Sequence, residues 1–454
     1  MLLVIVLVVA AAGGGYLITH KIRTDSAARP APTPSTTPSA LLSATATPPD
    51  ATTSSQPPLP RPAALARELV KVVAAQALGG PVLAQVSDAA TGAVLYSHLD
   101  TATAAPASTA KLLTAAALLT VRPATYRITT TVLAGISGTV VLVGGGDPTL
   151  TGAKAGHAGA YADAARISDL AAQVRRAHVA AKRIVVDGSL FSGPSVAPQW
   201  APGDVPTFYA APITAVMADG GRAAPGDAIR SAAPDLAAGR ELAAALGVPA
   251  SAVTLGRAAA GARTLASVQS PPVAELVDQM LQTSDNVIAE CLARQVALAA
   301  ARPASFAGAA AAIRSTLIGI GADPGGRLVD GSGLAAADRV SPAALVDVLQ
   351  LVAGTAHPAL HDIVTALPVA AWSGTLSGRY LRGSGATAGA GVVRAKTGTL
   401  TSVSSLAGFV HDADGRLLAF AVLADHVAPG DGPTASAEAA LDRIAAALAG
   451  CGCR

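Results

Sequence analysis

The chain has 454 residues and a net charge of +3, with 13% charged and 3% aromatic residues. This length allows more than one domain with a large core. The low charge and few aromatic residues exclude the basic, base-stacking surface of nucleic-acid-binding proteins, so we expect no nucleic acid among the partners.

The first 62 residues predict export rather than a folded domain. Residues 2–18 are apolar without a break, which is typical of a signal peptide or membrane anchor, here assigned to residues 1–23. Lys21 and Arg23 follow this stretch instead of preceding it, the reverse of the usual order of charges. Residues 24–62 are nearly all Pro, Ser, Thr and Ala, which predicts a disordered linker. We therefore expect an extracytoplasmic protein, secreted or held at the membrane by its N-terminal segment.

The first folded elements lead to a candidate nucleophile. A helix is predicted over 63–78 and a hairpin over 82–98, followed by Ser108 and Lys111 at the start of an apolar helix. Positions three apart share one helix face, so the serine hydroxyl and the lysine amine meet there as a nucleophile and a base. Alone this spacing is a weak signal, because a helix start with a solvated lysine has the same pattern.

The next segment predicts an inserted domain. Residues 123–262 contain four strand-like runs, so we expect a β-rich domain that interrupts a catalytic domain formed by 63–122 and 263–450. The part from 221 to 262 is too short for a further domain. The predicted strands are 127–133, 139–143, 183–187 and 252–255.

The C-terminal half returns to helices and ends in strands. The predicted helices are 273–281, 287–298, 306–320, 342–352 and 434–448, and the predicted strands are the run around Lys396, 406–411 and 417–424. We expect the first and last helices to pack on one antiparallel sheet. The predicted fold class is α/β (α+β), an antiparallel sheet flanked by helices and interrupted by the inserted domain.

Two further motifs strengthen the assignment of Ser108. Ser284-Asp285-Asn286 follows an apolar helix, and Lys396-Thr397-Gly398-Thr399 follows a strand. The chain has six lysines and one asparagine; two of those lysines and the asparagine lie in the three motifs. Finding the three motifs in order by chance has a probability on the order of one in a thousand. Two lysines beside one serine would lower the pKa of Lys111 and attract a carboxylate-ended substrate.

The cysteines and histidines predict no metal site and no disulfide framework. Cys291 lies in an apolar helical run, and for Cys451 and Cys453 a frayed tail is favoured over a metal clip. His357 and His361 have helical spacing but lack the glutamate of His-Glu-x-x-His, and an ordinary helix start at Pro358 explains them better. We expect no metal and no cofactor.

With these motifs the chain resembles the penicillin-recognising serine peptidases, most closely the low-molecular-mass class C penicillin-binding proteins of the D-alanyl-D-alanine carboxypeptidase/endopeptidase group. The resemblance covers roughly residues 65–450. It includes these further segments: Gly144-Gly-Gly-Asp-Pro-Thr-Leu150, Asp187-Gly-Ser-Leu-Phe191, Trp200-Ala-Pro-Gly-Asp204, Tyr209-Ala-Ala-Pro212 and Asp330-Gly-Ser-Gly-Leu334.

The resemblance implies a role for each motif residue. Ser108 would be acylated, Lys111 would be its base, and Ser284 would relay the proton to the leaving group. The backbone N–H groups of Ser108 and Thr399 would form the oxyanion hole. The implied substrate-binding residues are Asn286, Lys396, Thr397, Gly398, Thr399, Asp204, Gly333 and Leu334.

The implied activity is cleavage of peptidoglycan stem peptides through an acyl-enzyme, with β-lactams as covalent inhibitors. The family usually has Ser-Arg after Gly-Ser-Gly-Leu, whereas this chain has Ala335 and Ala336, which leaves recognition of the peptide side chain open. Two alternatives are a β-lactamase-like hydrolase and a non-catalytic cell-wall-binding scaffold. The first would need a Glu-x-x-x-Asn loop, and Asn286 is the sole asparagine.

Overall fold

Residues 57–453 are described in the computed structural model. The predicted signal or anchor at 1–23 and the linker up to residue 56 lie outside the described residues. In the described range, no single helix is long and apolar enough to cross a membrane.

The described part of the chain contains ten α-helices and ten strands, joined by loops and short 3-10 helices. The helices are α1 (Pro62–Val73), α2 (Lys111–Val121), α3 (Ile167–Arg176), α4 (Pro234–Leu246), α5 (Val273–Thr283), α6 (Asn286–Ala299), α7 (Phe306–Gly319), α8 (Pro342–Ala353), α9 (Asp362–Ala366) and α10 (Asp431–Ala449). The strands are β1 (Leu83–Asp88), β2 (Val94–His98), β3 (Arg127–Ala134), β4 (Thr139–Val143), β5 (Arg183–Asp187), β6 (Val253–Leu255), β7 (Thr264–Pro272), β8 (Val393–Leu400), β9 (Val403–His411) and β10 (Leu417–Ala424).

The first sheet is antiparallel, in the order β2-β1-β10-β9-β8. Alternate residues of β10, such as Leu418 and Phe420, pack on the side of α1 and α10. Ala419 and Leu423 face the opposite side, with α2, α5, α6 and α8. A strand buried on both faces has a continuous apolar sequence, as β10 does. The prediction that the first and last helices pack on one antiparallel sheet is confirmed.

Helix α2 is the centre of the helical side of this sheet. Its residues from Lys111 to Leu119 are all buried, so it has no polar face. A short 3-10 turn, Ala107–Ala110, precedes it and lies against β8 and β9. The burial of α2 thus fixes the position of Ser108 beside the edge strand β8.

The second sheet is mixed, in the order β6-β5-β4-β3-β7. Strands β4, β5 and β6 are parallel, and β3 pairs antiparallel with β4 and β7. We call residues 127–272, which contain this sheet, the second-sheet segment. A boundary at residue 263 would cut through the sheet, because β7 pairs with β3. We therefore propose that the inserted domain ends at residue 272.

Helices α3 and α4 were not predicted. They pack on the second sheet through an apolar core that includes Leu170, Val174 and Leu242. In α3 the buried residues have helical spacing, with Arg175 and Arg176 in the last turn, so the sequence carried the signal. Because the segment contains two helices as well as its five-stranded sheet, it is an α/β unit.

The C-terminal residues depart from the predicted frayed tail. Cys451 is buried in the core with α1 and α10, and the carbonyl of Cys453 accepts the Arg61 N–H at 2.6 Å. Cys451 and Cys453 are paired in a disulfide. The tail prediction is wrong because burial and this backbone hydrogen bond hold the last residues against the start of α1.

A buried ion pair joins β1 to the turn before β10. Arg416 Nη2 lies 2.7 Å from Asp88 Oδ2, and the two side chains are 5% and 0% exposed.

We expect Arg416→Met to lower the free energy of unfolding by about 3–5 kcal/mol, because it leaves a buried carboxylate without its cation. Arg314→Met, which breaks a pair with 40% and 57% exposed side chains, should cost less than about 1 kcal/mol. Urea unfolding of both variants checks this, and equal losses would contradict it.

Candidate active site

The loop before α2 brings Ser108 and Lys111 together. Lys111 Nζ donates to Ser108 Oγ at 2.8 Å. The preceding residue, Ala107, has a φ of 46°, in the left-handed region. The loop is held by Thr109 Oγ1 and Ser405 Oγ, which both donate to the Pro106 carbonyl, at 2.7 and 2.6 Å. Ser108 is half-buried, whereas Lys111 is fully buried.

The Lys111 amine has three hydrogen-bond acceptors. Besides Ser108 Oγ, it donates to Asn286 Oδ1 at 2.6 Å and to the Ser332 carbonyl at 2.7 Å. Burial lowers the pKa of Lys111 to about 8, against the opposing effect of Asp330, Asp285 and Glu290. A substantial fraction of the amine is therefore neutral near pH 8 and able to take a proton.

Lys396, the lysine of the third motif, lies on β8. Its Nζ donates to Ser284 Oγ and to the Thr397 carbonyl, both at 2.9 Å. Burial lowers the pKa of Lys396 well below its usual value, and the nearby charges of Lys111 and Arg379 lower it further. Within residues 57–453 neither of the two motif lysines forms an ion pair. A negatively charged group placed beside Lys396 would favour its charged form.

Ser284 and Asn286 flank the boundary between α5 and α6. Ser284 ends α5 with a φ of 58°, and Asn286 begins α6. Asn286 Oδ1 accepts from Lys111, and its Nδ2 donates to the Tyr209 carbonyl at 3.2 Å. The amide therefore bridges Lys111 and a loop of the second-sheet segment.

Strand β8 approaches Ser108 at Gly398. A Cβ atom at this position would lie 2.1 Å from Ser405 Oγ, 2.6 Å from the Pro106 carbonyl and 3.0 Å from the Ser108 backbone nitrogen. Only glycine fits this approach without displacement.

The two threonines beside Gly398 contact neighbouring elements. Thr397 Oγ1 donates to Thr375 Oγ1 at 2.9 Å, and Thr399 Oγ1 donates to Glu438 Oε1 of α10 at 2.8 Å. Thr397 is buried and Thr399 is exposed. These contacts hold both hydroxyls on one side of β8.

The loop 330–335 contacts Lys111 through the Ser332 carbonyl. Asp330 accepts backbone N–H bonds from residues 332, 333 and 335 and the Trp200 indole N–H at 2.8 Å. Gly333 has a φ of 75°, and a Cβ there would lie 1.9 Å from the Ala107 carbonyl. Leu334 is buried. Gly333 therefore packs against the loop that carries Ser108, whereas Leu334 packs in the apolar cluster with Trp200 and Val287.

A buried acid on α6 holds the same loop. Glu290 Oε1 accepts the N–H groups of Gly331 and Ser332 at 2.9 and 2.8 Å, and Arg294 pairs with Oε2 at 3.2 Å. Burial raises the pKa of Glu290 to about 7. This residue fixes the Ser332 carbonyl that Lys111 contacts.

The described contacts join Asp204 to none of the three motifs. Its carboxylate accepts the Ala201 N–H at 2.9 Å within its own turn, and burial raises its pKa. Ala336 is exposed, and its carbonyl accepts Arg339 Nη1 at 2.8 Å.

Sequence analysis missed several groups at the site. Glu290 and Glu438 lie on helices, in no short motif, and no local signal could have found them. The carbonyls of Tyr209 and Ser332 are backbone atoms, which their residue types do not reveal. These two side chains and two carbonyls reach the site only because the fold brings distant segments together.

Comparison with known proteins supports the family assignment. The profile of the D-Ala-D-Ala carboxypeptidase 3 (S13) family matches residues 65–226 and 224–448. A carboxypeptidase of Mycobacterium tuberculosis is 45% identical over 388 residues, which cover 84% of this chain and 83% of that protein. Carboxypeptidase DacB of Mycolicibacterium smegmatis is 44% identical over 402 residues, covering 87% and 86%.

The fold is similar to that of a solved penicillin-binding protein. The crystal structure of penicillin-binding protein 4 (DacB) from Haemophilus influenzae superposes with a TM-score of 0.67 at 22% identity, covering 84% of this chain and 98% of that chain. A second structure of the same protein, in complex with a β-lactam, has a TM-score of 0.63. The family profile, the two mycobacterial relatives and the shared fold agree, and this chain belongs to the D-Ala-D-Ala carboxypeptidase 3 (S13) family of hydrolases.

Proposed function

We propose that Ser108 is the nucleophile of this carboxypeptidase and Lys111 its general base. The neutral Lys111 amine takes the hydroxyl proton while Oγ attacks the carbonyl carbon of the D-Ala-D-Ala bond. The observation that carries this proposal is the fully buried amine 2.8 Å from Ser108 Oγ. Its pKa of about 8 suits proton transfer near neutral pH.

Collapse of the tetrahedral intermediate breaks the C–N bond and needs a proton on the leaving amine. We assign this delivery to Ser284, whose Oγ accepts a hydrogen bond from Lys396 Nζ: Ser284 gives its hydroxyl proton to the amine and regains the proton that Lys111 took from Ser108, so that Lys111 becomes neutral again. The terminal D-alanine then leaves and Ser108 carries the acyl group. Water hydrolyses the ester, with Lys111 again as base, and restores the free hydroxyl.

The oxyanion of the intermediate requires backbone donors. We assign this role to the N–H groups of Ser108 and Thr399. Its support is the close approach of the two segments, because a Cβ at Gly398, the residue before Thr399, would lie 3.0 Å from the Ser108 nitrogen. Fixed donors stabilise charge that develops only in the transition state.

The substrate carboxylate is assigned to the β8 side of the cleft. Lys396, Thr397 and Thr399 supply a cation and two hydroxyls, and an arriving carboxylate would favour the charged form of Lys396. Asn286, which already contacts Lys111, would hold the peptide amide. The remaining substrate-binding assignments are Gly398, Gly333, Leu334 and Asp204.

The physiological substrate is proposed as a peptidoglycan stem peptide, cleaved at its terminal D-alanine or at a cross-link. Two lysines without ion pairs in the described cleft favour a carboxylate-ended peptide. The family acts on the cell wall, so the protein works outside the cytoplasm. We propose that residues 1–23 and the linker to residue 62 direct this export and, if uncleaved, anchor the enzyme.

Benzylpenicillin tests the acylating serine, because a β-lactam has the same reactive carbonyl and carboxylate. We expect the purified exported portion to gain the mass of one penicillin molecule, and the adduct to persist for longer than one catalytic cycle. Ser108→Ala should gain no mass. Intact-protein mass spectrometry followed over time measures both.

Three other results of the benzylpenicillin experiment would contradict the proposed roles. An adduct that disappears within seconds would favour the β-lactamase-like alternative. No adduct on the wild type, together with no release of D-alanine from a D-Ala-D-Ala peptide, would remove the catalytic roles proposed here. An adduct on Ser108→Ala would place the nucleophile elsewhere.

A further inference from the structure

We propose that Tyr161 and Arg230, both from the second-sheet segment, are positioning residues that hold Asp285 and thereby fix Ser284 and Asn286 in the active site. This inference rests on the proposed function. The second-sheet segment would then contribute to catalysis through two side chains, although its sheet carries none of the three motifs.

One oxygen of the Asp285 carboxylate begins helix α6. Oδ1 accepts the backbone N–H groups of Val287 and Ile288 at 2.8 and 3.1 Å, which makes Asp285 the N-cap residue. Asn286 is the first residue of that helix. Its orientation toward Lys111 therefore depends on where Asp285 lies.

The other oxygen is held by the second-sheet segment. Asp285 Oδ2 accepts Arg230 Nη2 at 2.7 Å and the Tyr161 hydroxyl at 2.8 Å. Asp285 is 8% exposed and Arg230 is 5% exposed. The carboxylate is thus shared between the start of α6 and two side chains more than fifty residues away.

Both donors are themselves fixed. Arg230 Nη1 donates to the Gly220 carbonyl at 2.6 Å, and Arg222 Nη1 donates to the Tyr161 hydroxyl at 3.2 Å. Gly220 has a φ of 65°, and a Cβ there would lie 2.1 Å from the Tyr161 oxygen. We call Tyr161, Arg230 and Asp285 the clamp.

The clamp explains how Ser284 keeps its conformation. Ser284 has a φ of 58°, which non-glycine residues adopt only at a cost that surrounding contacts must offset. Asp285 immediately follows and is fixed through both oxygens. Loss of the clamp would release Ser284 and Asn286 together.

Charge links the clamp to Lys111. Burial alone would raise the pKa of Asp285, but Arg230 and Tyr161 outweigh it and keep the carboxylate ionised. The charged groups that act on Lys111 are Asp330, Asp285, Glu290 and, from β8, Lys396. Removing Arg230 leaves the negative field of Asp285 uncompensated, and this field favours protonated Lys111.

Acylation kinetics with benzylpenicillin provide the test, well below the unfolding temperature of every variant. We expect Arg230→Met to acylate about 10- to 100-fold more slowly, since a displacement of about 1 Å at a reacting group costs this much. Arg230→Lys should recover part of the loss, and Tyr161→Phe, which removes one hydroxyl, should show a smaller one. Arg416→Met is the matched control, a buried ion pair in the first sheet whose loss should leave acylation within about twofold.

The pH dependence separates positioning from general loosening. Arg230→Met should move the midpoint of the acylation profile to higher pH, and Asp285→Asn should move it to lower pH, because the two changes have opposite effects on the charge near Lys111. Equal rates in Arg230→Met and Arg416→Met, or shifts in the same direction, would overturn the proposal.

Hydrogen exchange tests the clamp without catalysis. The amides of Val287 and Ile288 should exchange faster in Arg230→Met than in Arg416→Met. Equal exchange would overturn the clamp even if the wild type acylates. A wild type that forms no adduct would instead contradict the proposed function, while the exchange data would still decide on the clamp.

Discussion

Lys111→Met is expected to form the penicillin adduct at Ser108 about a thousandfold more slowly than the wild type, since a positioned general base contributes about 10²- to 10⁴-fold. Methionine has similar length and suits a fully buried site, so the fold should be kept. The change removes the amine 2.8 Å from Ser108 Oγ. Stopped-flow or quenched-flow acylation kinetics measure the effect.

The same variant should lose the pH dependence of the wild type. Burial lowers the pKa of Lys111 to about 8, and only the neutral amine accepts a proton. The wild-type acylation rate should therefore rise with pH, with a midpoint near 8, and level off above it. Lys111→Met should lack this rise. A midpoint that persists in the variant would assign the titration to another group.

Lys154→Met provides the control. Lys154 is exposed, and it contributes only its backbone carbonyl to the hydrogen bonds described. This variant should acylate at the wild-type rate. If Lys111→Met did so as well, Lys111 would not be the base, and the hydrogen bond to Ser108 would have only a structural role.

The elements that the sequence predicted share a physical cause. Strand β10 and helix α6 are long and strongly patterned, and Ser108 and Lys111 lie three apart on one helix face, which local geometry alone brings together. The three short motifs, which contain the sole asparagine and two of the six lysines, supplied the candidate residues of the site. The local sequence is therefore sufficient to predict these elements and motifs.

The parts that were missed depend on contacts between distant segments. Arg230 reaches Asp285 from 55 positions earlier in the chain, and Glu438 reaches Thr399 from the last helix. Strand β7 was missed because its apolar residues alternate irregularly around a bulge opposite β3. Such contacts follow from the tertiary fold, and no periodicity in one segment specifies them.

Gly398→Ala is expected to reduce acylation at least about a hundredfold, because the added methyl group would force β8 away from the loop that carries Ser108 by about 1 Å. Its Cβ would lie 2.1 Å from Ser405 Oγ and 2.6 Å from the Pro106 carbonyl, neither of which can move freely. Ser405 donates to that same carbonyl, so a shift of either partner disturbs the turn that carries Ser108. Adduct formation by mass spectrometry and kinetics measures the loss.

Gly378→Ala is the matched control, since a Cβ at Gly378 meets no atom within 4 Å and its backbone is not left-handed. It should acylate like the wild type and unfold at the same temperature. Ser405→Gly in the Gly398→Ala background would remove the nearest obstacle, and partial recovery would show that the defect is steric. Wild-type acylation by Gly398→Ala would mean that β8 can move away without disturbing the proposed oxyanion donors, and the close approach of Gly398 to Ser108 would not be needed for the reaction.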